Sequence, residues 1–125
     1  MGLTYKSIKV KANFEALAER DVDFMVDSGA VYSLVPGDTL QELGIKPHRK
    51  LTFVLADGTK IERQVGDAYF EYQGEGGSAP VIFGEAGDEP LLGAMTLESL
   101  GLVLDPFKRE LYPARLMLAR TTRLG

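Results

Sequence analysis

No cysteine occurs among the 125 residues. Disulfides, thiolate catalysis and cysteine zinc sites are excluded together, and stability is left to core packing and any oligomer contacts. Histidine is nearly absent too: His48 stands alone, beside Pro47 and Arg49 in a polar connection, and reads as a solvated loop residue. No apolar run is long enough to span a bilayer, and Met1 to Val10 alternates polar and apolar residues instead of carrying a signal-peptide core. The expectation is a soluble, cytoplasmic chain without a membrane partner. Positive charge is also in short supply, with 14 Lys+Arg against 18 Asp+Glu and a net charge of -4. A general nucleic-acid or anionic-membrane surface needs a positive field, so neither partner is expected.

What remains is ordinary globular material, 45% hydrophobic and 26% charged. The length suits one domain that buries about two thirds of its unfolded surface. That domain is placed at residues 1–113, with 114–125 as a basic tail carrying Arg115, Arg120 and Arg123, read as either a frayed helix or disordered.

Alternation marks the strands. Ile8, Val10 and Ala12 alternate with lysines, and Val22, Phe24 and Val26 repeat the pattern straight into Asp27-Ser28-Gly29. A strand therefore delivers Asp27 to a turn. Strands are expected at Leu51 to Ala56 and Thr59 to Tyr72, joined by a two-residue hairpin at Asp57-Gly58, with a turn at Gly74 to Gly77, a short strand from Ala79 to Phe83, and a β turn and closing strand after Val103. Two short helices are expected. Pro36-Gly37-Asp38 precedes Thr39-Leu40-Gln41-Glu42-Leu43-Gly44, and Thr96-Leu97-Glu98-Ser99-Leu100-Gly101 echoes it at a spacing of 57 residues. The echo is compatible with an internal duplication and with the plain recurrence of glycine as a helix stop.

Several chemistries fail on the residues. A calcium loop starting at Asp21 needs glycine at Val26 and glutamate at Tyr32. A serine nucleophile at Ser28 wants glycine two residues earlier, where Val26 stands, and a nearby base. Gly74, Gly76 and Gly77 are not followed by a Lys-Ser/Thr pair or a helix, so they read as a turn, not a phosphate cradle. No metal or other cofactor is expected. Carboxylate chemistry survives. Two carboxylates sharing one proton can serve as base towards water and acid towards a carbonyl oxygen. Because the chain offers one Asp-Ser-Gly, the simplest pairing sets Asp27 against its own symmetry mate across a two-fold axis, a homodimer. Gly29 then lets a substrate backbone approach, Ser28 bonds within the turn, and Phe24 and Val26 support it from beneath.

Val22-Asp23-Phe24-Met25-Val26-Asp27-Ser28-Gly29-Ala30 resembles the catalytic segment of retropepsin-like aspartic proteases, where apolar residues precede Asp-Ser/Thr-Gly-Ala. Leu91-Leu92-Gly93 and the helix after it resemble the element that follows the family's flap, and Ala56-Asp57-Gly58-Thr59 falls where the flap tip belongs. The order of elements matches from about Ser7 to Pro113. The resemblance implies a mostly β, closed-barrel acid protease fold with two short helices, a flap hairpin and a peptide-cutting homodimer. It assigns catalysis to Asp27, the active-site turn to Ser28, Gly29 and Ala30, substrate contact to Ala56, Asp57, Gly58 and Thr59, and support of the site to Leu91, Leu92 and Gly93. Viral members place an acid after Asp-Ser/Thr-Gly-Ala and an arginine after apolar-apolar-Gly, where this chain has Val31 and Ala94. The pattern sits nearer the bacterial and cellular members. The alternative is a catalytically silent dimer of the same fold that holds an extended peptide.

Overall fold

A computed structural model describes residues 2–114. The expectation for the basic tail lies outside the described residues, apart from Ala114. Among the described residues, nine strands and two helices follow in the order β1 (Tyr5–Lys11), β2 (Glu19–Val26), β3 (Ser33–Pro36), α1 (Gly37–Glu42), β4 (Arg49–Val54), β5 (Lys60–Tyr72), β6 (Glu75–Gly84), β7 (Leu91–Leu92), α2 (Ala94–Leu100), β8 (Leu102–Asp105) and β9 (Glu110–Pro113). Among the described residues, no helix is long and apolar enough to cross a membrane.

Seven strands share one sheet in the order β1-β2-β7-β3-β6-β5-β4. β1 also pairs with β5, Val10 opposite Phe70, so the ladder leads from β1 through five neighbours back to β1, with β4 outside on β5. β8 and β9 form a separate hairpin. The alternation in β1 and β2 sends Ile8, Val10, Val22, Phe24 and Val26 inward, where the Phe24 and Phe70 rings lie 6.2 Å apart and both side chains are fully buried. Each such aromatic contributes roughly 1.5–3 kcal/mol through the surface it removes from water.

The helical echo is structural as well as textual. α1 buries Leu40, and past its end come the buried Leu43 and then Gly44 at φ 81; α2 buries Leu97 and Leu100 and is followed by Gly101 at φ 68. Each helix also follows a short strand that pairs in parallel with a longer one: β3 with β6 ahead of α1, and β7 with β2 ahead of α2. The two short strands meet each other antiparallel at Leu34 and Leu91.

Local expectations differ from the structure in three places, one of them Gly74 to Gly77, expected as a turn, where Glu75, Gly76 and Gly77 already pair with β5 as the start of β6. The Asp57-Gly58 hairpin has no two-residue loop: Gly58 N–H donates to Leu55 O at 2.9 Å, and Leu55 N–H donates to Thr59 O at 2.7 Å. A two-residue type I′ loop needs positive φ at both central residues, but at this tip only Gly58 has it, at 87°. Ala56, Asp57 and Gly58 therefore make a three-residue loop ending in a left-handed glycine, and Asp57 Oδ1 accepts from Thr59 N–H at 2.9 Å. A further difference is at α1, which starts at Gly37, two residues ahead of Thr39, with Pro36 at the N-cap position and Asp38 inside the first turn.

Candidate active site

β2 ends at Val26, and the chain turns outward at once. Asp27 N–H donates to Leu92 O at 2.9 Å, Asp27 O accepts from Ala30 N–H at 3.1 Å, and Asp27 Oδ1 accepts from Gly29 N–H at 2.9 Å. The bond that closes the turn comes from the Gly29 main chain, the job the sequence suggested for the Ser28 hydroxyl. Asp27, Ser28 and Gly29 are all exposed in the single chain, so one carboxylate is offered at the surface above the buried Phe24 and Val26.

Leu91-Leu92-Gly93 lies directly behind this turn. Met25 pairs with Leu91 and Val26 with Leu92 in parallel register. The Gly93 N–H donates to Ser33 Oγ at 2.9 Å, and Ser33 Oγ lies 2.5 Å from Thr96 Oγ1. A Cβ on Gly93 would stand 2.5 Å from Tyr32 O and 2.9 Å from Ala30 O, both main-chain atoms, so only glycine lets the two segments approach. Beyond it, Ala94 N–H donates to Ala30 O at 2.7 Å and Met95 N–H to Val31 O at 3.1 Å. The chain leaving the Asp27 turn and the start of α2 are thus joined by peptide groups.

Where the chain leaves the Asp27 turn, from Ala30 onward, it lines a largely apolar cleft of about 440 Å³ that Asp27 itself does not line. One wall is the chain leaving the turn, Ala30, Val31, Tyr32 and Leu34; the other is the β4–β5 hairpin, through Phe53, Val54, Leu55 and Ile61. Tyr32 and Phe53 touch edge to face, with centroids 5.7 Å apart. Leu91 lines the floor, whereas Ala56, Asp57, Gly58 and Thr59 lie beyond the lining at the hairpin tip. The hairpin therefore meets the cleft through its stem, one to three residues before the tip named from sequence. Alternation could have found Phe53 and Ile61; nothing in the residue types marked Ser33 and Thr96, because hydroxyl residues read as surface until their burial is known.

Asp57 has its carboxyl held below the usual range by the bonds it accepts from Thr59. Among the described residues, no three His, Asp or Glu side chains gather as a metal-binding group.

No protein-family model matches the chain, and no curated protein matches it. In fold it is similar to the solution structure of Simian Foamy Virus (mac) protease, with a TM-score of 0.49 and 19% identity over 74% of this chain and 92% of that one. It is likewise similar to the crystal structure of a retropepsin-like aspartic protease from Rickettsia conorii, with a TM-score of 0.47 and 24% identity over 83% of this chain and 85% of that one.

Proposed function

We propose that two copies of this chain form an aspartic endopeptidase of the retropepsin-like kind, with the two Asp27 carboxylates side by side across a two-fold axis. One observation carries the reading: an exposed carboxylate at a strand end, its turn locked by the Gly29 and Leu92 main chain, is followed three residues later by the wall of an apolar cleft whose other wall is a hairpin. In the dimer one Asp27 takes a proton from water while its mate donates one to the scissile carbonyl oxygen. The hydroxide adds to the carbonyl carbon, and the tetrahedral intermediate then breaks its C–N bond as the first Asp27 passes the proton it took from water to the amine nitrogen and a hydroxyl proton of the intermediate returns to the mate. An extended peptide lies in the cleft, its side chains against Tyr32, Phe53 and Ile61, with the 55–59 tip as the moving end of a flap. The return pairing of β1 with β5 supports reading the sheet as the closed barrel of that fold.

A second reading, a silent dimer that only holds peptide, draws on Val31 and Ala94 standing where viral relatives carry their ion pair. Incubation with a peptide library at mildly acidic pH separates the two. Cutting that is blocked by a statine-type mimic and abolished by Asp27→Asn, with the dimer mass retained, is the expected result. Asparagine keeps an Oδ1 acceptor for Gly29 N–H, so the turn survives the change. Cutting by the Asp27→Asn protein overturns the proposal, as does a monomer in light scattering at micromolar concentration.

A further inference from the structure

Leu92 O and Gly93 N belong to one peptide group. Its oxygen accepts the Asp27 N–H at 2.9 Å, and its N–H donates to Ser33 Oγ at 2.9 Å. A peptide group is planar and stiff, so holding the nitrogen end sets the direction in which the oxygen points. Ser33 Oγ is in turn bonded to Thr96 Oγ1, and both residues are fully buried at 0% exposure. Buried hydroxyls are tolerated where each has a partner. In this case the partners are each other and the peptide group on which the Asp27 main chain hangs.

We propose that the Ser33–Thr96 hydroxyl pair is a positioning device for Asp27, acting through the Leu92–Gly93 peptide and never touching substrate. The idea rests on the proposed role of Asp27. A packing role alone would be met by alanine and valine, which bring no polar group to bury. The hydroxyl pair adds direction: Thr96, held in the first turn of α2, fixes Ser33, Ser33 fixes the Gly93 N–H, and the opposite end of that plane fixes the Asp27 N–H. The carboxylate is thereby referenced to a helix inside its own chain before a partner arrives.

The test compares Ser33→Ala and Thr96→Val with Thr96→Ser, which keeps the hydroxyl. Expected for Ser33→Ala is a fall in kcat of about tenfold or more with KM within about twofold, because supporting residues of this kind act on geometry more than on binding. Thr96→Val loses kcat in the same sense, and Thr96→Ser retains most of it. Amide hydrogen exchange gives a readout independent of cutting: Asp27 and Gly93 exchange at least about tenfold faster in Ser33→Ala, while Val26, whose N–H donates to Thr4 O on the other edge of β2, keeps its protection. Unchanged kcat in a folded Ser33→Ala dimer, or exchange that quickens equally across the core, overturns the proposal. Should the native protein cut nothing, the proposed function fails while the exchange pattern still decides whether the pair holds Asp27.

Discussion

Arg63 and Asp88 lie fork to fork, with Nε 2.8 Å from Oδ2 and Nη2 3.1 Å from Oδ1. Asp88 Oδ2 also accepts from Glu85 N–H at 2.8 Å, so the pair ties the β5 stem of the hairpin to the loop that leads into Leu91. The Arg63 guanidinium holds the Asp88 carboxyl below its ordinary value of 3.8. A carboxyl that ionises more readily when folded stabilises the fold above that ordinary value, and the contribution drains away as pH falls through the lower folded one. The native melting temperature is therefore expected to drop below pH 3.8 more steeply than that of Asp88→Asn. At pH 6, well above that window, Asp88→Asn loses about 1 kcal/mol, which lowers melting by roughly 3–6 °C in a domain this size. Equal acid limbs in the two proteins refute the assignment.

Tyr32 and Phe53 are the contact between the chain leaving the Asp27 turn and the hairpin stem. Edge-to-face pairs are worth about 0.5–1.5 kcal/mol beyond their area, so a double-mutant cycle of Tyr32→Leu and Phe53→Leu should return a coupling of that size. In cleavage assays Phe53→Leu raises KM severalfold with less effect on kcat. A coupling indistinguishable from zero denies the contact its role.

Two glycines separate crowding from strain. Gly93→Ala drives a Cβ against the Tyr32 and Ala30 carbonyls and is expected to cost about 3 kcal/mol or more in chemical unfolding. Gly58→Ala meets nothing within 4 Å, and its cost is only that of holding alanine at φ 87, about 1–2 kcal/mol confined to the hairpin tip. Similar unfolding midpoints for the two variants contradict this reading of Gly93.

Val31 is 57% exposed and Met95 38%, and a hydrogen bond joins their main chains next to the Asp27 turn. A two-fold axis that brings two Asp27 turns together would bring this apolar patch towards the second copy. Val31→Glu is expected to weaken association at least about tenfold, the cost of an unpaired charge at a closing surface, with the melting of the dilute monomer unchanged. Sedimentation across a concentration series measures both, and an unaltered midpoint places the interface elsewhere.

Strands with one wet face could be read directly, because alternation in β1 and β2 is a consequence of their half-buried setting. The same logic missed β3. Its four residues combine a buried serine with a buried valine and end in proline, and pairing with β6 and β7 covers it from both sides. Asp27 could be placed at a strand end because the alternation of β2 runs straight into Asp-Ser-Gly. Ser33 and Thr96 could not, since their role depends on two hydroxyls 63 residues apart meeting in the core. The hairpin was placed correctly and its loop misjudged, for Asp57 keeps an ordinary backbone and leaves the left-handed position to Gly58 alone.

The main-chain bonds from Ala94 to Ala30 O and from Met95 to Val31 O have a consequence for working conditions. Peptide groups neither titrate nor gather counterions. A carboxylate–arginine joint at this place would slacken in acid or in brine, whereas this one keeps its grip in both. The junction beneath the Asp27 turn is thus indifferent to the acidity that the proposed carboxylate pair would demand, and side chains 31 and 94 are left out of the joint and free to vary without loosening it.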